Sequence, residues 1–398
     1  MTERVVDFMG LLGFAALVQA VFLGAYFGFV KIKQSKAYGL LACLLLIFAF
    51  TLLHDILVYS RYMLDYPHFL ATGMAFILAI GPLIYLYIRW QTSQNFHFYW
   101  WDVLHFIPFM IGHWQRLDTY LMSANAKGAR LQAIFARIAK GNAIPPLQPW
   151  QDNLSHFLFW HAQPLIYLVI SIFLLNRHRT RIKERFSYTE KINLRWMQYV
   201  LYGYCVIFGL EYFLEIYPQF TGKAFWSSSS PVSISLFSIQ VYIITYMGLH
   251  SQNTIALSEN KESSIEKTQP VKEKKTEQVL SNQQAAQLNE RLKEYMKETQ
   301  AYHNSKLSIQ ALSEALEVSA RYISFAINHQ QRQNFFDFVN TYRIQEAKQL
   351  LLDDKTRNWT IAAVSEEVGF NSRDAFYRAF KKNCGMTPTQ YRKQADNH

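Results

Sequence analysis

Long apolar runs alternate with short polar loops over the first 250 residues of the chain. The first run, residues 8–30, contains 23 residues and no charged side chain. At a rise of about 1.5 Å per residue, such a helix can cross a hydrocarbon core of about 30 Å. Because Lys31 and Lys33 follow the run instead of a small-residue cleavage site, we interpret it as a retained membrane span and not as a signal peptide.

Later apolar runs predict six further spans, so that the expected total is seven. The fourth run carries His105, Pro108 and His113 and is the weakest, which leaves six spans as the alternative. The six later runs are residues 38–59, 69–89, 98–114, 154–175, 196–217 and 232–249.

Basic residues near the span ends predict the orientation in a bacterial inner (cytoplasmic) membrane. The loops 31–36 and 176–195 are rich in Lys and Arg, whereas the loops 60–68 and 218–231 contain only Arg61 and Lys223. Basic loops face the cytoplasm, so a seven-span, multi-pass protein would have its N-terminus outside and its C-terminal region inside. The basic loop 115–153 would then lie outside, but long loops follow the charge rule poorly.

The loop 115–153 contains an amphipathic stretch at residues 129–140. Leu131, Ile134, Phe135 and Ile138 fall on one helical face, with basic residues on the other. The stretch predicts a helix that either lies on the outer membrane surface or caps the helix bundle.

Several polar residues fall in the outer halves of the predicted spans. Polar groups at that depth are costly unless they are paired or face water, so they predict a ligand pocket that opens outward. Glu211 and Glu215 share a helical face and could bind a cation, a proton or a ligand amine. The alternative is that these groups lie at the headgroup level. The candidate pocket residues are His54, Asp55, His113, His161, Glu211 and Glu215.

Composition changes sharply after residue 250 and predicts three regions. The whole chain has a net charge of +11, but aromatic and aliphatic residues are concentrated in residues 1–250, the expected membrane sensor domain. Residues 251–284 are rich in Ser, Glu, Lys, Gln and Thr, which predicts a flexible cytoplasmic tether; a coiled coil is the competing interpretation. Residues 285–398 have the composition of a soluble domain.

The pattern at residues 364–392 predicts two helices joined by a tight turn. The turn is expected at Gly369, the second helix should open at Ser372, and Gly385 should end it. Val364, Val368, Phe370, Phe376 and Phe380 are spaced so that two crossing helices would share a core. This is the pattern of a helix-turn-helix, whose second helix can enter a DNA major groove.

A second copy of this pattern lies upstream. Ile309, Leu312, Leu316 and Val318 match Ile361, Val364, Val368 and Phe370 at an offset of 52 residues, and Ile323 and Ile327 match Phe376 and Phe380 at an offset of 53. The downstream turn therefore has one extra residue. Residues 285–302 predict a preceding helix, and residues 334–353 predict a long helix between the two copies.

The downstream residues resemble the AraC/XylS family of transcription regulators. The similarity covers residues 288–393 and is carried by Gly369-Phe370-x-Ser372, Phe376-x-Arg378-x-Phe380-Lys381, Gly385-x-Thr387-Pro388 and Tyr391-Arg392. It implies an all-α chain, with a polytopic membrane helix bundle followed by two helix-turn-helix units joined by a long helix. It also implies a one-component regulator that binds double-stranded promoter or operator DNA.

The resemblance implies that exposed residues of the two second helices read DNA bases. Arg378 can bridge one guanine, and Asp374 either accepts from a cytosine or orients Arg378. Phe325 replaces a usual polar side chain and either reads a thymine methyl group or DNA shape, or packs into the domain. Glu317 stands where the downstream copy has Gly369, so either it accepts the same turn conformation or the turn differs. The expected base-reading residues are Arg321, Tyr322, Ser324, Phe325, Arg373, Asp374, Ala375 and Arg378. The expected phosphate contacts are Lys306, Arg343, Lys381, Lys382, Arg392 and Lys393.

No catalytic, cofactor or metal-binding signature occurs in the sequence, so we predict a regulator and not an enzyme. Three widely separated cysteines predict no disulfide framework. The expected partners are DNA, membrane lipid, an unidentified small-molecule or membrane signal, and a second copy of the chain in the active state. The competing functions are a transporter with a regulatory cytoplasmic tail, or a receptor whose tail binds another protein.

Overall fold

The computed structural model describes residues 4–5, 7–93, 96–139, 154–188, 194–221, 231–250 and 280–396. These residues form helices and contain no named β-strand. The chain divides into two compact units, one containing Met1–Leu175 and Leu194–Asn253, the other containing Asn176–Asn193 and Thr254–His398. The predicted fold class, apolar helices followed by a helix-turn-helix domain, is confirmed, whereas the predicted domain bounds remain predictions.

Five helices in the described residues are long and apolar enough to cross a membrane, by length and composition. They occupy Phe8–Lys33, Ala37–Tyr59, Pro67–Thr92, Phe159–Arg185 and Pro231–His250, and a shorter apolar helix occupies Trp196–Leu210. The predicted total of seven spans remains a prediction. The α-helices up to residue 250 are α1 Phe8–Phe29, α2 Ala37–Tyr59, α3 Ile77–Thr92, α4 Ile107–Trp114, α5 Leu117–Leu121, α6 Ala124–Ala139, α7 Leu154–Arg185, α8 Arg195–Thr221 and α9 Pro231–His250.

Helix α1 packs closely against α2 and α9 through a row of small residues. A Cβ atom on Gly24 would lie 3.6 Å from the carbonyl oxygen of Ala42, so the two backbones are near van der Waals contact. Small residues permit this close approach between apolar helices. The buried small residues of α1 are Gly13, Ala16, Ala20 and Gly24.

The other side of α1 exposes large apolar side chains. Phe14, Phe22 and Phe29 are all more than half exposed. A helix that is apolar on every side is typical of a membrane span, because lipid tails accept the side that protein does not cover. The exposed phenylalanines therefore fit the predicted first span.

The fourth predicted span, residues 98–114, does not form one continuous α-helix. Its first half is a 3-10 helix, Trp100–Phe106, and only Ile107–Trp114 is α-helical. The Asp102 carboxylate caps the start of this segment by accepting a hydrogen bond from the Tyr99 N–H at 2.9 Å, and the Arg89 guanidinium donates to the same carboxylate at 2.7 and 2.6 Å. Pro108 lies in the first turn of α4, where its missing N–H has no cost.

The amphipathic stretch predicted at residues 129–140 lies within α6. Leu131 and Phe135 are buried in a small cluster with Met63, Leu70 and Ala71. Helix α6 therefore packs on protein, which favours the alternative that it caps the bundle over the alternative that it lies on the membrane surface.

Helix α7 continues ten residues beyond the predicted end of its span at residue 175. Residues 176–185 are mostly Arg, Lys, Glu and other residues that tolerate a helix, and no Gly or Pro interrupts them. The helix ends before Phe186, and Asn176–Asn193 belong to the second unit.

The second unit contains the two predicted helix-turn-helix copies. The same capping chemistry starts equivalent helices in both: Ser308 and Thr360 cap the first helices, and Ser319 and Ser372 cap the second ones. The α-helices after residue 280 are α10 Asn282–Thr299, α11 Ile309–Leu316, α12 Ala320–Gln331, α13 Phe335–Leu352, α14 Ile361–Glu367, α15 Arg373–Cys384 and α16 Pro388–Asp396.

Helix α13 joins two separate apolar cores. Phe335 and Phe338 near its start pack in the core of the upstream copy, whereas Ile344 and Leu351 near its end pack in the core of the downstream copy. The predicted connecting helix at residues 334–353 is therefore confirmed to within one residue at each end. The helix fixes the separation of the two copies because both cores contain it.

In each of the two copies, a residue in the left-handed backbone region follows the first helix. Glu317 adopts this conformation at φ 54°, so the side chain accepts the turn, and Gly369 adopts it at φ 87°. The two positions differ in their surroundings. A Cβ atom on Gly369 would lie 2.5 Å from the carbonyl oxygen of His303 and 2.7 Å from that of Tyr302. Glycine is therefore required at position 369 for space as well as for conformation.

We expect Gly369→Ala to destabilise the downstream copy more than Gly385→Ala does. Gly385 also has a positive φ, of 74°, but a Cβ atom there would meet nothing within 4 Å. Its replacement should cost about 1 kcal/mol from backbone strain alone, whereas replacement of Gly369 adds a collision with backbone. Hydrogen–deuterium exchange of the full chain, measured in peptides covering residues 361–384, would compare the opening free energies. Equal decreases in the opening free energy for the two variants would contradict the close packing of Gly369 against the carbonyls of Tyr302 and His303.

Candidate nucleic-acid interface

Helix α15 has one buried face and one charged, exposed face. Phe376 and Phe380 are fully buried in the core of the downstream copy. Arg373, Asp374 and Arg378 are exposed, as the sequence pattern predicts. The start of the helix therefore presents polar groups to solvent from a rigid apolar base, which is the arrangement of a recognition helix.

The turn before α15 is held in place by contacts on both sides. The Ser372 hydroxyl accepts a hydrogen bond from the Ala375 N–H at 3.2 Å, which caps the helix. Asn371 is the extra residue of the downstream turn, and its side-chain amide donates to the Ser305 carbonyl at 2.8 Å. The extra residue therefore links the turn to the loop between α10 and α11.

Arg373 is oriented by a tyrosine one helical turn further on. Its guanidinium donates to the Tyr377 hydroxyl at 3.2 Å and lies over the ring, 5.1 Å from its centroid. The Tyr377 hydroxyl also contacts the Thr389 hydroxyl at 3.0 Å. Burial raises the pKa of Tyr377, but the hydrogen bonds with Thr389 and Arg373 outweigh it and hold the pKa below its ordinary value. This network restricts the orientations that Arg373 can adopt.

Asp374 and Arg378 lie four residues apart on the exposed face of α15. Together with Arg373 and Tyr377 they line one shallow hollow on the surface. Side chains at this spacing lie on neighbouring turns of a helix, so the carboxylate is within reach of the guanidinium. The geometry therefore permits both predicted roles of Asp374, which are to read a cytosine and to orient Arg378.

Helix α12, the equivalent helix upstream, is less charged. Arg321 is exposed, Tyr322 packs partly against the core, and Ser324 accepts a 3.3 Å hydrogen bond from Asn328. Phe325 is half-buried and lies outside the apolar core; its ring stacks on His329 with centroids 5.3 Å apart. An apolar ring therefore lies at the surface of this helix, which favours the predicted contact with DNA over packing inside the domain.

Ala375 is a correction to the predicted set of base-reading residues. Its side chain is only 7% exposed and packs in the same cluster as Phe376. A methyl group that faces the core cannot contact a base edge. Ala375 instead contributes its N–H to the helix cap.

Arg343 is a correction to the predicted set of phosphate contacts. Its side chain is 1% exposed, and it is among the largest fully buried side chains of the described residues. The guanidinium donates to the carbonyl oxygens of Tyr302 at 2.7 Å, Asn304 at 2.9 Å and Ser187 at 3.1 Å. A guanidinium that is surrounded by backbone carbonyls cannot reach a phosphate, so Arg343 has a structural role.

The other five predicted phosphate contacts differ in their exposure and in the partners that they already have within the domain. Lys306, Lys381 and Lys393 are exposed. Lys382 is exposed but forms a 2.7 Å ion pair with Asp337. Arg392 is half-buried: one terminal nitrogen donates to the Trp359 carbonyl at 2.7 Å, and its Nε and other terminal nitrogen are buried, so the guanidinium is not presented at the surface.

The predicted membrane pocket is only partly described. His54 contacts Asp55 at 3.1 Å, and Asp55 is buried. His113 contacts the Tyr120 hydroxyl at 3.0 Å. The ring of His161 lies against Tyr212, on the helix that carries Glu211 and Glu215, but the side chains of these two glutamates lie outside the described residues. The pocket therefore stays a prediction.

Two residues of the interface were not found from the sequence. Tyr377 orients Arg373, and the signal for it is its spacing of four residues from that arginine on the same helix. Asn371 ties the downstream turn to Ser305, and the one-residue difference between the copies marks its position. Both residues act on the recognition helix through its neighbours.

Two helix-turn-helix units that share one connecting helix define a double helix-turn-helix domain, a class of DNA-binding domain. Residues 312–394 match the family model described as Helix-turn-helix domain. The C-terminal part of the chain is therefore a helix-turn-helix domain of the AraC type, as the sequence resemblance predicts.

The chain is similar to transcription regulators in this region. It is 31% identical over 109 residues to the uncharacterized HTH-type transcriptional regulator YobQ of Bacillus subtilis strain 168, covering 26% of this chain and 44% of that protein. It is 30% identical over 117 residues to the uncharacterized HTH-type transcriptional regulator YijO of Escherichia coli strain K12, covering 29% of this chain and 38% of that protein. The matches thus span less than half of either relative.

A solved structure also resembles the C-terminal region. It is the C-terminal domain of AraT, a response regulator from Geobacillus stearothermophilus, with 30% sequence identity and a TM-score of 0.24, covering 27% of this chain and 84% of that chain.

We expect Arg378→Ala to weaken binding to the preferred DNA sequence while leaving the fold intact. Arg378 is exposed, and a bidentate arginine–guanine contact contributes about 1 to 3 kcal/mol of discrimination against a wrong base. Binding of the full chain in detergent to its selected site and to a scrambled site would measure the change. Arg357→Ala is the matched control, because Arg357 is an exposed arginine outside both recognition helices. An equal loss on both sequences would contradict base reading by Arg378.

Lys381→Ala should behave differently from Arg378→Ala. A lysine that contacts phosphate contributes to every sequence equally, so its loss should weaken both sites alike. It should also lower the slope of log affinity against log salt by about one unit. Titrations at several salt concentrations would measure that slope. A change in sequence preference without a change in slope would assign Lys381 to base reading instead.

Proposed function

We propose that the protein is a membrane-bound, one-component transcription regulator. A membrane-embedded N-terminal region would sense a signal, and the C-terminal domain of the same chain would bind promoter DNA. The observation that carries the proposal is the exposed charged start of α15 in a chain whose described residues also contain five helices apolar enough to cross a membrane. No separate kinase or messenger is needed when both functions lie in one chain.

DNA recognition would divide between the two copies. In the downstream copy, Arg378 reads a guanine, and Arg373 makes a second contact from the orientation that Tyr377 gives it. In the upstream copy, Arg321 supplies charge and Phe325 supplies an apolar surface that fits a thymine methyl group. The two copies then read two different short sequences, separated by about one turn of DNA because α13 fixes their spacing.

Phosphate contacts would position the domain without adding sequence preference. Lys306, Lys381 and Lys393 are the exposed candidates, whereas Arg392 would have to move its buried guanidinium to reach a phosphate. Basic residues only slightly exceed acidic ones between residues 287 and 393, so one domain should bind modestly. Two chains on adjacent sites would bind more tightly through effective concentration, which supports a homodimer as the active state.

The membrane part of the proposal rests on length, composition and charge. The basic residues after the apolar part of α7 support a cytoplasmic location for that end of the helix, by the positive-inside rule. If α8 and α9 both cross the membrane after it, the C-terminal domain returns to the cytoplasm, where the chromosome lies. Lipid would contact exposed side chains such as Phe14 and Phe22.

The signal would act on the polar groups within the apolar helices. His54 and the buried Asp55 form one pair, and His113 and His161 contribute two further imidazole rings. Glu211 and Glu215 would add two carboxylates. Such a set suits a cationic or amine-bearing ligand, which would shift the bundle between two arrangements.

Sequencing the DNA that full-length protein retains in cells tests the function directly. We expect enrichment of a small set of promoters by the wild-type chain, and loss of that enrichment by Arg378→Ala but not by Arg357→Ala. Membrane fractionation of the same cells and a reporter fused after His398 test the location. Retention of no specific DNA, or a C-terminus outside the cytoplasm, would refute the proposal.

Phe325 provides a test of the upstream copy. Replacing a thymine by uracil in the selected site removes only the methyl group, so it should weaken binding by the wild-type chain at one position. The same replacement should have no effect on Phe325→Ala, because the partner of the methyl group is gone. Binding titrations of the four combinations form a double-mutant cycle. Equal effects of uracil in both proteins at every thymine would assign Phe325 to another role.

A further inference from the structure

The segment that follows α7 forms part of the second unit. Phe186 and Ser308 form an isolated antiparallel bridge. The Ser187 N–H donates to the Leu307 carbonyl at 3.1 Å, and the Ser187 hydroxyl donates to the same oxygen at 2.7 Å. Ser187 is only 1% exposed. Residues 186–188, which we term the docking segment, thus lie beside the start of helix α11 and are joined to it by this single bridge and by the Ser187 hydrogen bonds.

The docking segment also contacts the buried arginine of the connecting helix. Arg343 donates through one terminal nitrogen to the Ser187 carbonyl at 3.1 Å, and through the other to the Ser187 hydroxyl at 3.2 Å. The Arg343 Nε and the second terminal nitrogen bind the carbonyls of Tyr302 and Asn304. Ser187 therefore supplies two of the oxygen atoms that surround one buried cation. Such groups are costly to bury without their partners.

The same arginine lies where the two helix-turn-helix copies meet. Its guanidinium is 5.4 Å from the centroid of the Phe370 ring, which belongs to the downstream turn. The carbonyls of Tyr302 and His303 border the space that only glycine at position 369 can occupy. A displacement of the Arg343 side chain would therefore disturb the contacts of the upstream loop and of the downstream turn together.

Helix α7 connects this junction to the apolar region by covalent continuity. It is one unbroken helix from Leu154 to Arg185, and its apolar part, Phe159 onward, is one of the candidate membrane spans. A continuous helix transmits displacement along its axis. The composition of residues 251–284 predicts a flexible tether, which transmits little.

We propose that the docking segment is the intramolecular contact through which helix α7 sets the relative placement of the two recognition helices. When the segment is docked, Ser187 completes the shell around Arg343 and holds the junction in the arrangement that binds DNA. Movement of α7 withdraws Ser187 and loosens the junction. This inference rests on the proposed function and identifies the part of the chain that regulates it.

A cross-link tests whether the segment docks in the full chain. Residues opposite each other in an antiparallel pair have Cα atoms about 4.5 to 5.5 Å apart, a separation that a disulfide can span. Phe186→Cys combined with Ser308→Cys, in a chain whose Cys43, Cys205 and Cys384 are replaced by alanine, should form an intramolecular disulfide on mild oxidation. Phe186→Cys with Glu314→Cys is the control, because Glu314 is on the exposed side of α11. Equal cross-linking of both pairs, measured by mass spectrometry of the detergent-solubilised chain, would overturn the proposal.

DNA binding by variants of Ser187 tests whether docking matters for function. Ser187→Ala removes the hydroxyl and Ser187→Pro removes both the hydroxyl and the N–H, and each should weaken binding of the full chain to its selected site about fivefold or more. Ser187→Thr keeps both groups and should restore binding. Thr180→Ala, at an exposed position of α7, is the matched control and should bind as the wild type does.

The outcomes separate this inference from the proposed function. If Arg378→Ala abolishes specific binding while Ser187→Ala and Ser187→Pro bind as the wild type, the regulator remains and the docking inference fails. If Ser187→Thr binds DNA as weakly as Ser187→Ala, loss of the hydroxyl does not explain the weaker binding, and the inference also fails. If the oxidised Phe186→Cys, Ser308→Cys chain keeps its affinity while the Ser187 variants lose theirs, docking is the binding-competent state.

Discussion

The buried guanidinium of Arg343 is the interaction on which the C-terminal unit depends. A charged group that is removed from water must have its N–H groups hydrogen-bonded, and Arg343 meets this requirement with carbonyls from chain segments far apart in sequence. Each of those segments is thereby fixed in relation to α13. The loop between α10 and α11, the connecting helix and the docking segment have one common anchor as a result.

The contacts of Arg343 explain how a domain with two small apolar cores keeps its two recognition helices at a fixed spacing. Each core contains only a few large side chains, such as Phe338 upstream and Phe376 downstream, and each could in principle shift by itself. Helix α13 belongs to both cores, while Arg343 and the contact from Asn371 to Ser305 join the loops beside it. The spacing of the two recognition helices is then determined by hydrogen bonds and by helix geometry rather than by one large apolar interface.

Local signals predicted most of the helices. Caps such as Ser372, the stop at Gly385 and the apolar spacing of α13 all lie within a few residues of the feature they determine, so a single sequence reveals them. The burial of Ala375 could also have been predicted, because it lies on the same face as Ala379, one turn along a helix whose core residues are adjacent. The length of α7 beyond its apolar part follows from the helix-forming residues after Asn176.

Long-range contacts explain what the sequence did not predict. Arg343 looks like any surface cation in its own helix, and only the approach of residues 187 and 302–304 makes it structural. Ser187 lies 156 positions from Arg343, and no periodicity links the two. The fourth apolar run was ambiguous for another reason: Arg89 of α3 pairs with the Asp102 carboxylate, and no pattern along the chain reveals this contact between the side chains of two helices.

The two left-handed turns place different limits on substitution in the two helix-turn-helix copies. At position 317 the turn is adopted by a glutamate, and its conformational cost is the only obstacle to a side chain there. At position 369 the neighbouring carbonyls leave no room for any side chain at all. A substitution at position 317 therefore alters the surface of the upstream copy alone, because Glu317 is exposed. A substitution at position 369 would displace the loop that carries Tyr302 and His303, so one residue of the downstream copy controls the packing of both copies.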